Sequence, residues 1–389
     1  MMIPTSRSRH PSGAVEGAGR HREEEYARSG FSGRYAHLYR SSPPVAWTRI
    51  EGPLRPRDPT REAEVSGDYL ADRRPQLGND DVVISFARVA RPMDYFFRNA
   101  DADEVLFVHA GGGRIETDFG PLGYVRGDYL VIPRGTVYRL VPSDTTSLLV
   151  MEMRGEVRFP DRGMLGQHAL FDPAVIEVPT PVEAGPGSTL AASATGEWEV
   201  RIQRQGQLTR VFYAHCPLDV VGWKGTLSVQ RLNVKDIRPV MSERYHLPPS
   251  AHSTFVADGA VICSFLPRGL ETGDANAMKV PFYHSNIDYD EVLFYHDGEF
   301  FSRTGISAGM LTFHPQGIHH GPQPGAVERT KDAARTQEVA VMIDTRRPLE
   351  VLSGALRCEL VDYWKSWGAD AESSRAAGQA PDGSARAAR

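Results

Sequence analysis

One feature constrains this chain more than any other: it repeats itself. Asp103-Glu104-Val105-Leu106-Phe107, then x-His109-x-Gly111, recurs as Asp290-Glu291-Val292-Leu293-Phe294, then x-His296-x-Gly298, an offset of 187 residues. Downstream, Gly127-x5-Pro133-x-Gly135-x2-Tyr138 recurs as Gly309-x5-Pro315-x-Gly317-x2-His320, at an offset of 182. Two matching blocks in the same order, at similar intervals, mark a duplicated structural unit. The unit is β-rich. VVISFARV, EVLFVHA, GRIETDF, DYLVIP, YRLVP and SLLVMEM are strand-length runs crowded into residues 82–153. They are bounded by Gly, Pro, Asp or Asn, the pattern of a sandwich or barrel. A second set, FVADGAVICSFLP, EVLFYHDGEFFSR, GMLTFHP and EVAVMIDT, runs from Thr254 to Asp344, with EWEVRIQR and LTRVFYAH between the two.

Gly and Pro together number 65 of 389 residues (37 and 28), a surplus that favours turns and short strands over long helices. The expected organisation is a non-packing arm over 1–30, a first barrel with connecting strands over 31–235, a second barrel over 236–368 and a disordered tail over 369–389. A C-terminal helix is predicted over EVLSGALRCELVDYWKSW, where Leu352, Leu356, Leu360, Tyr363, Trp364 and Trp367 recur at helical spacing. A formal charge of -5 excludes a polybasic nucleic-acid or membrane surface. No apolar stretch is long enough for a membrane helix, and the N-terminus has no apolar core of a secretory signal. Three scattered cysteines, Cys216, Cys263 and Cys358, exclude a disulfide scaffold and a thiolate zinc site. They suit a reducing cytoplasm.

The repeats carry chemistry unequally. The second copy reads His284-Ser285-Asn286-x4-Glu291-x6-Gly298, then Gly309-x5-Pro315-x-Gly317-x2-His320. This resembles the two-part signature of the cupin barrel, the double-stranded β-helix or jelly roll, with Asn286 where the pattern has a second histidine. The chain is therefore expected to be all-β dominated, a bicupin. His284, Glu291 and His320 form a two-histidine, one-carboxylate set. Such a set holds Fe(II) on one face and leaves three positions open for substrate and dioxygen. In the first copy the histidine positions are Phe97 and Tyr138, while Glu104 matches Glu291. A lone carboxylate holds iron poorly, so that barrel is expected to be structural.

The resemblance narrows with HSNIDYDEVLFYHDGEF, LTFHPQGIHHGPQPG, GFSGRYAHLYR, PLDVVGWKG and the His246-x-Pro248-Pro249-Ser250 turn. Together these resemble the homogentisate 1,2-dioxygenase family, most closely its bacterial branch, over residues 31–344. The resemblance implies a mononuclear non-haem Fe(II) enzyme of tyrosine and phenylalanine catabolism. Such an enzyme opens the ring of homogentisate with O₂, extradiol fashion, to give maleylacetoacetate. It implies iron on His284, Glu291 and His320, and substrate contacts at His314, His320 and Phe300. Phe300 stands where the better-known branch has a substrate-binding tyrosine, and Lys224 where it has a histidine. The proton acceptor matches His246, with His252 as the alternative. Arg268 and Arg303 flank the metal block and could pair with a carboxylate. His296 and His319 are expected to face solvent or polar neighbours. The family assembles as trimers that pair into hexamers, so a homo-oligomer is expected. Three competing readings stay open: a sister dioxygenase for another dihydroxylated aromatic acid such as gentisate, a metal-dependent isomerase or decarboxylase, and a non-catalytic bicupin.

Overall fold

The Val-Leu-Phe of each repeat is apolar without alternation, and burial on both faces of a strand accounts for it. In the computed structural model, described for residues 22–27, 35–40, 66–180, 197–213, 216–218, 223 and 225–367 except 304 and 324, both copies form such strands. The chain first lays down β1 (Arg22–Ala27) and β2 (Tyr35–Arg40). The first barrel then comprises β3 (Arg74–Gly78), β4 (Val82–Val89), β5 (Phe96–Asn99), β6 (Asp103–Ala110), β7 (Gly112–Thr117), β8 (Gly120–Val125), β9 (Asp128–Ile132), β10 (Val137–Pro142) and β11 (Thr146–Met153). One sheet runs β8-β7-β10-β5 and is extended by β12 (Trp198–Arg204) and β13 (Gln207–Tyr213). The facing sheet runs β9-β6-β11-β4-β3, with β14 (Gln230–Asn233) outside β9.

The second barrel comprises β15 (Ser253–Ala257), β16 (Ala260–Phe265), β17 (Tyr283–Asn286), β18 (Asp290–Asp297), β19 (Leu311–His314) and β20 (Val339–Thr345). Its larger sheet has the order β15-β16-β20-β18-β19. Alternation along β6 and β18 shows how the barrels join. Leu106 and Val108 point into the first barrel, and Leu293 and Tyr295 into the second. Val105, Phe107, Val292 and Phe294 share one core between the barrels, with Phe107 and Phe294 at 6.2 Å. Repeat-related residues thus meet across the seam. His109 and His296 do so as well, Nδ1 to Nδ1 at 3.0 Å. His296 is therefore buried rather than solvent-facing; burial, then His109 and Arg126, push it down to about 3. The repeated glycine turns the chain at the end of β6 and of β18: Gly111 (φ 80°) and Gly298 (φ 89°) adopt a left-handed conformation where a Cβ would strike a neighbouring carbonyl.

Two expectations need correction. Residues 22–27, assigned to a non-packing arm, form β1, which pairs in parallel with β17 of the second barrel and antiparallel with β2. So β2, placed by sequence in the first barrel's segment, belongs to the sheet of the second. Backbone pairing made this strand, which the charged sequence REEEYA conceals. The continuous C-terminal helix is also absent. Glu350–Val351 pairs with β3 as β21, Ser353–Leu356 forms the short helix α1, and Tyr363–Trp367 is a 3-10 turn. Gly354 fits against the Pro75 carbonyl so closely that a Cβ would collide, docking the segment on β3. That docking and glycine's weak helix propensity outweigh the apolar periodicity, and Leu356 and Leu360 are left exposed. No helix among the described residues is long and apolar enough to cross a membrane. Residues 1–21 and 368–389, part of GFSGRYAHLYR and Lys224 lie outside the described residues.

Candidate metal centre

Strand pairing assembles the site. β17 carries His284, β18 carries Glu291, and β19 ends at His314. The chain then turns so that His320 bridges His284, each backbone N–H donating to the other's carbonyl at 3.2 Å. Donor atoms of His284, Glu291 and His320 all lie within 4.8 Å of one another. His284 Nδ1 lies 3.1 Å from the Phe282 carbonyl, and His320 Nδ1 lies 3.2 Å from that of Ile318. A carbonyl can only accept, so each Nδ1 carries the proton and each Nε2 presents a lone pair. Both Nε2 atoms face Glu291 Oε2, at 3.5 Å and 3.8 Å. His320 Nε2 is buried with no hydrogen-bond partner among the described residues. Two imidazole lone pairs converging on one carboxylate oxygen, without a proton to share, make a donor set that fits a divalent cation.

The electrostatics agree with that geometry. Burial pushes Glu291 up, yet His320, His284 and His314 together hold it well below the usual carboxylate range. Burial, and then His284, holds His320 well below the usual imidazole range. The carboxylate is charged and the imidazole neutral, the states a metal requires. His314 is fully buried, and its Nδ1 lies 2.7 Å from Glu291 Oε1. It orients the carboxylate, and it stacks parallel to His320 at 5.6 Å. Removing it as His314→Leu should weaken metal affinity about 10–100-fold while one metal per chain still binds at saturation, as metal titration would show.

The first barrel shows what replaces such a centre. Phe97 pairs with Tyr138 as His284 does with His320. Glu104 faces Ile132 across β9 and Glu152 across β11, just as Glu291 faces His314 and Asp344. Where a cation would sit, the Arg73 guanidinium reaches Glu104 at 2.8 Å and Glu152 at 2.9 Å. Tyr138 completes the cluster by donating to Glu104 at 2.8 Å. A protein cation fills the first barrel. In the second, Glu291 and Asp344 have no arginine or lysine within ion-pair distance among the described residues, and burial, then Glu291, drives Asp344 well above the usual carboxylate range.

A pocket opens at His284 and Glu291, walled by Phe265, Phe282, Phe301 and Leu293, with His252, Arg268, Arg303 and Glu338 in its lining. Of the two proton-acceptor candidates, His252 lies in this wall. His246 is also buried, with its ring 4.7 Å from Phe282 and Phe282 in turn 5.6 Å from His284. Burial, and then Arg268, pushes His252 down to about 3. Phe300 packs on Tyr295 at 4.9 Å, and its neighbour Phe301 faces the pocket. His319 is half-buried beside His320. Sequence reasoning missed Arg73, Asp344 and Glu338; none stands in a motif, and only cross-strand pairing or the pocket reveals them.

A family described as the N-terminal part of homogentisate 1,2-dioxygenase matches residues 71–232. A protein of Saccharolobus solfataricus named "Putative dioxygenase" is 33% identical over 367 residues, covering 89% of this chain and 93% of its own. The chain belongs to the homogentisate dioxygenase-like cupin family. Within it, the homogentisate 1,2-dioxygenase of Sinorhizobium fredii is 26% identical over 295 residues, 70% of this chain. The chain spans 62% of that relative's length. Among solved structures, a cupin 2 conserved barrel domain protein from Leptotrichia buccalis has a TM-score of 0.30 at 10% identity, over 70% of this chain and 90% of its own.

Proposed function

We propose that this protein is a non-haem Fe(II) dioxygenase that opens the ring of a dihydroxylated aromatic acid, homogentisate by preference, yielding maleylacetoacetate. The observation that carries this reading is the contrast between two equivalent positions. A guanidinium fills the first barrel, whereas neutral imidazoles, a carboxylate and an apolar pocket meet in the second. Iron held by His284, Glu291 and His320 would supply the redox chemistry between the electron-rich ring and O₂.

The chain's own residues do the rest. Phe265, Phe282 and Phe301 give a planar ring an apolar slot beside the donor set and exclude water. His314 fixes the rotamer of Glu291 through its 2.7 Å hydrogen bond. Removal of the phenol proton is assigned to His246, the position that the family resemblance implies, one ring behind Phe282 of the pocket wall; His252, in the wall itself, is the alternative, and burial and Arg268 oppose its protonation. His252 suits a neutral hydrogen-bonding role in the wall. The protein is taken to act in the cytoplasm as a homo-oligomer of the trimer or hexamer kind, without nucleic-acid or membrane partners.

Two substitutions separate the histidines. His246→Asn should keep iron and substrate binding and lose about 10²–10⁴ in turnover. His252→Asn should lose less. Because His252 stays neutral far above its value of about 3, its loss should not change the shape of the pH–rate profile from pH 5 to 9. The reverse pattern moves the base to His252. The reading as a whole is tested by loading the protein with Fe(II) anaerobically, adding homogentisate and admitting air. One O₂ consumed per ring-opened product, with slower turnover of gentisate, is expected. Turnover without O₂ uptake would replace it with an isomerase or decarboxylase.

A further inference from the structure

Arg303 is the unexplained charge in this site. It is 7% exposed and lines the pocket together with His284 and Glu291. Buried arginines are ordinarily paired, as the largely buried side chains of Arg73, with Glu104 and Glu152, and of Arg268, with Glu271 at 3.4 Å, are. Arg303 has no carboxylate within ion-pair distance among the described residues. Its Nη1 donates to the Ser302 carbonyl at 3.2 Å, while its Nε is buried without a hydrogen-bond partner. The guanidinium also lies against Trp367, 5.4 Å from the ring, which fixes it in place. Glu338, on the same wall, does not neutralise it fully: burial raises that carboxyl to about 7 against the pull of Arg303 and Arg268.

We propose that Arg303 is the specificity-determining residue of the pocket, its guanidinium taking the carboxylate of the aromatic acid whose ring lies in the phenylalanine slot. The assignment rests on the ring-cleavage reading and adds to it: the acid group is recognised by a preformed, desolvated cation, so uncharged hydroquinones are disfavoured. A planar fork with a free edge suits a carboxylate better than a phenol. Arg268, equally near the metal block in sequence, is excluded from this role by its pairing with Glu271.

The test compares homogentisate with its uncharged methyl ester. Binding to Fe(II)-loaded protein without O₂ is measured by calorimetry, and KM and kcat are measured separately in air. The wild type should bind the acid about 30–300-fold tighter than the ester. In Arg303→Gln that ratio should collapse to within about threefold, with ester affinity and iron content unchanged and the loss appearing in KM. Arg303→Lys, which keeps the charge but not the fork, should retain part of the preference. If the glutamine variant does not fold, the lysine variant alone decides, with a fall in the ratio of about fivefold or more expected. A ratio equal to wild type in the folded variant overturns the role of Arg303 while leaving ring cleavage intact. A wild type that prefers neither ligand also overturns it. A wild type that neither binds nor turns over homogentisate removes the ring-cleavage reading and this proposal together.

Discussion

Replacing His320 by alanine should give a folded protein with less than a tenth of its iron and a turnover lower by on the order of 10⁴-fold or more. The same outcome is expected for Glu291→Ala and His284→Ala. Each removes one of the donors that converge within 4.8 Å, and two remaining donors cannot fix the coordination face. The fold should survive because the first barrel places Phe97 and Tyr138 at the equivalent paired positions and keeps its architecture. Iron analysis beside circular dichroism reads both halves of the expectation. Near-stoichiometric iron in the His320→Ala protein would remove that residue from the donor set.

The largest effect on stability belongs to the first barrel. Arg73→Met should cost about 3–5 kcal/mol, because it leaves Glu104 and Glu152 buried, adjacent and without their cation. For a folding unit of this size that corresponds to a drop of roughly 6–20 °C in Tm. Burial already raises Glu104 despite Arg73, so without the guanidinium protonation becomes the only relief. The triple variant Arg73→Met, Glu104→Gln, Glu152→Gln should recover much of the loss, since no buried charge then remains. Thermal unfolding checks both, and iron content should be unchanged throughout. A single variant as stable as wild type would mean the cluster contributes nothing.

The barrels and the His284, Glu291 and His320 cluster were legible because their signals are local. A strand buried on two faces is apolar at consecutive positions, so Val-Leu-Phe is visible twice; the turn that ends the strand needs its glycine, so Gly111 and Gly298 recur. His284, Glu291 and His320 stand at fixed distances from those landmarks. What escaped reading depends on partners remote in sequence. β1 exists through pairing with β17, far along the chain, and its run of glutamates argued for solvent. The apolar stripe after Val351 suggested a helix, but docking of Gly354 on β3 broke it. Arg73 stands in no motif, between GFSGRYAHLYR and the first repeat, and no spacing announces that it fills the first barrel's cation position. Arg268 and Arg303 looked equivalent until burial and the pairing with Glu271 separated them.

One asymmetry is central: a guanidinium fills the first barrel, and the second is proposed to hold iron at the equivalent place. Diffraction from Fe(II)-loaded crystals at the iron absorption edge tests it directly. The expected result is one anomalous peak per chain, bounded by His284 Nε2, Glu291 and His320 Nε2, with none beside Glu104. A peak at the Arg73–Glu104 cluster, or none at His284, would contradict it.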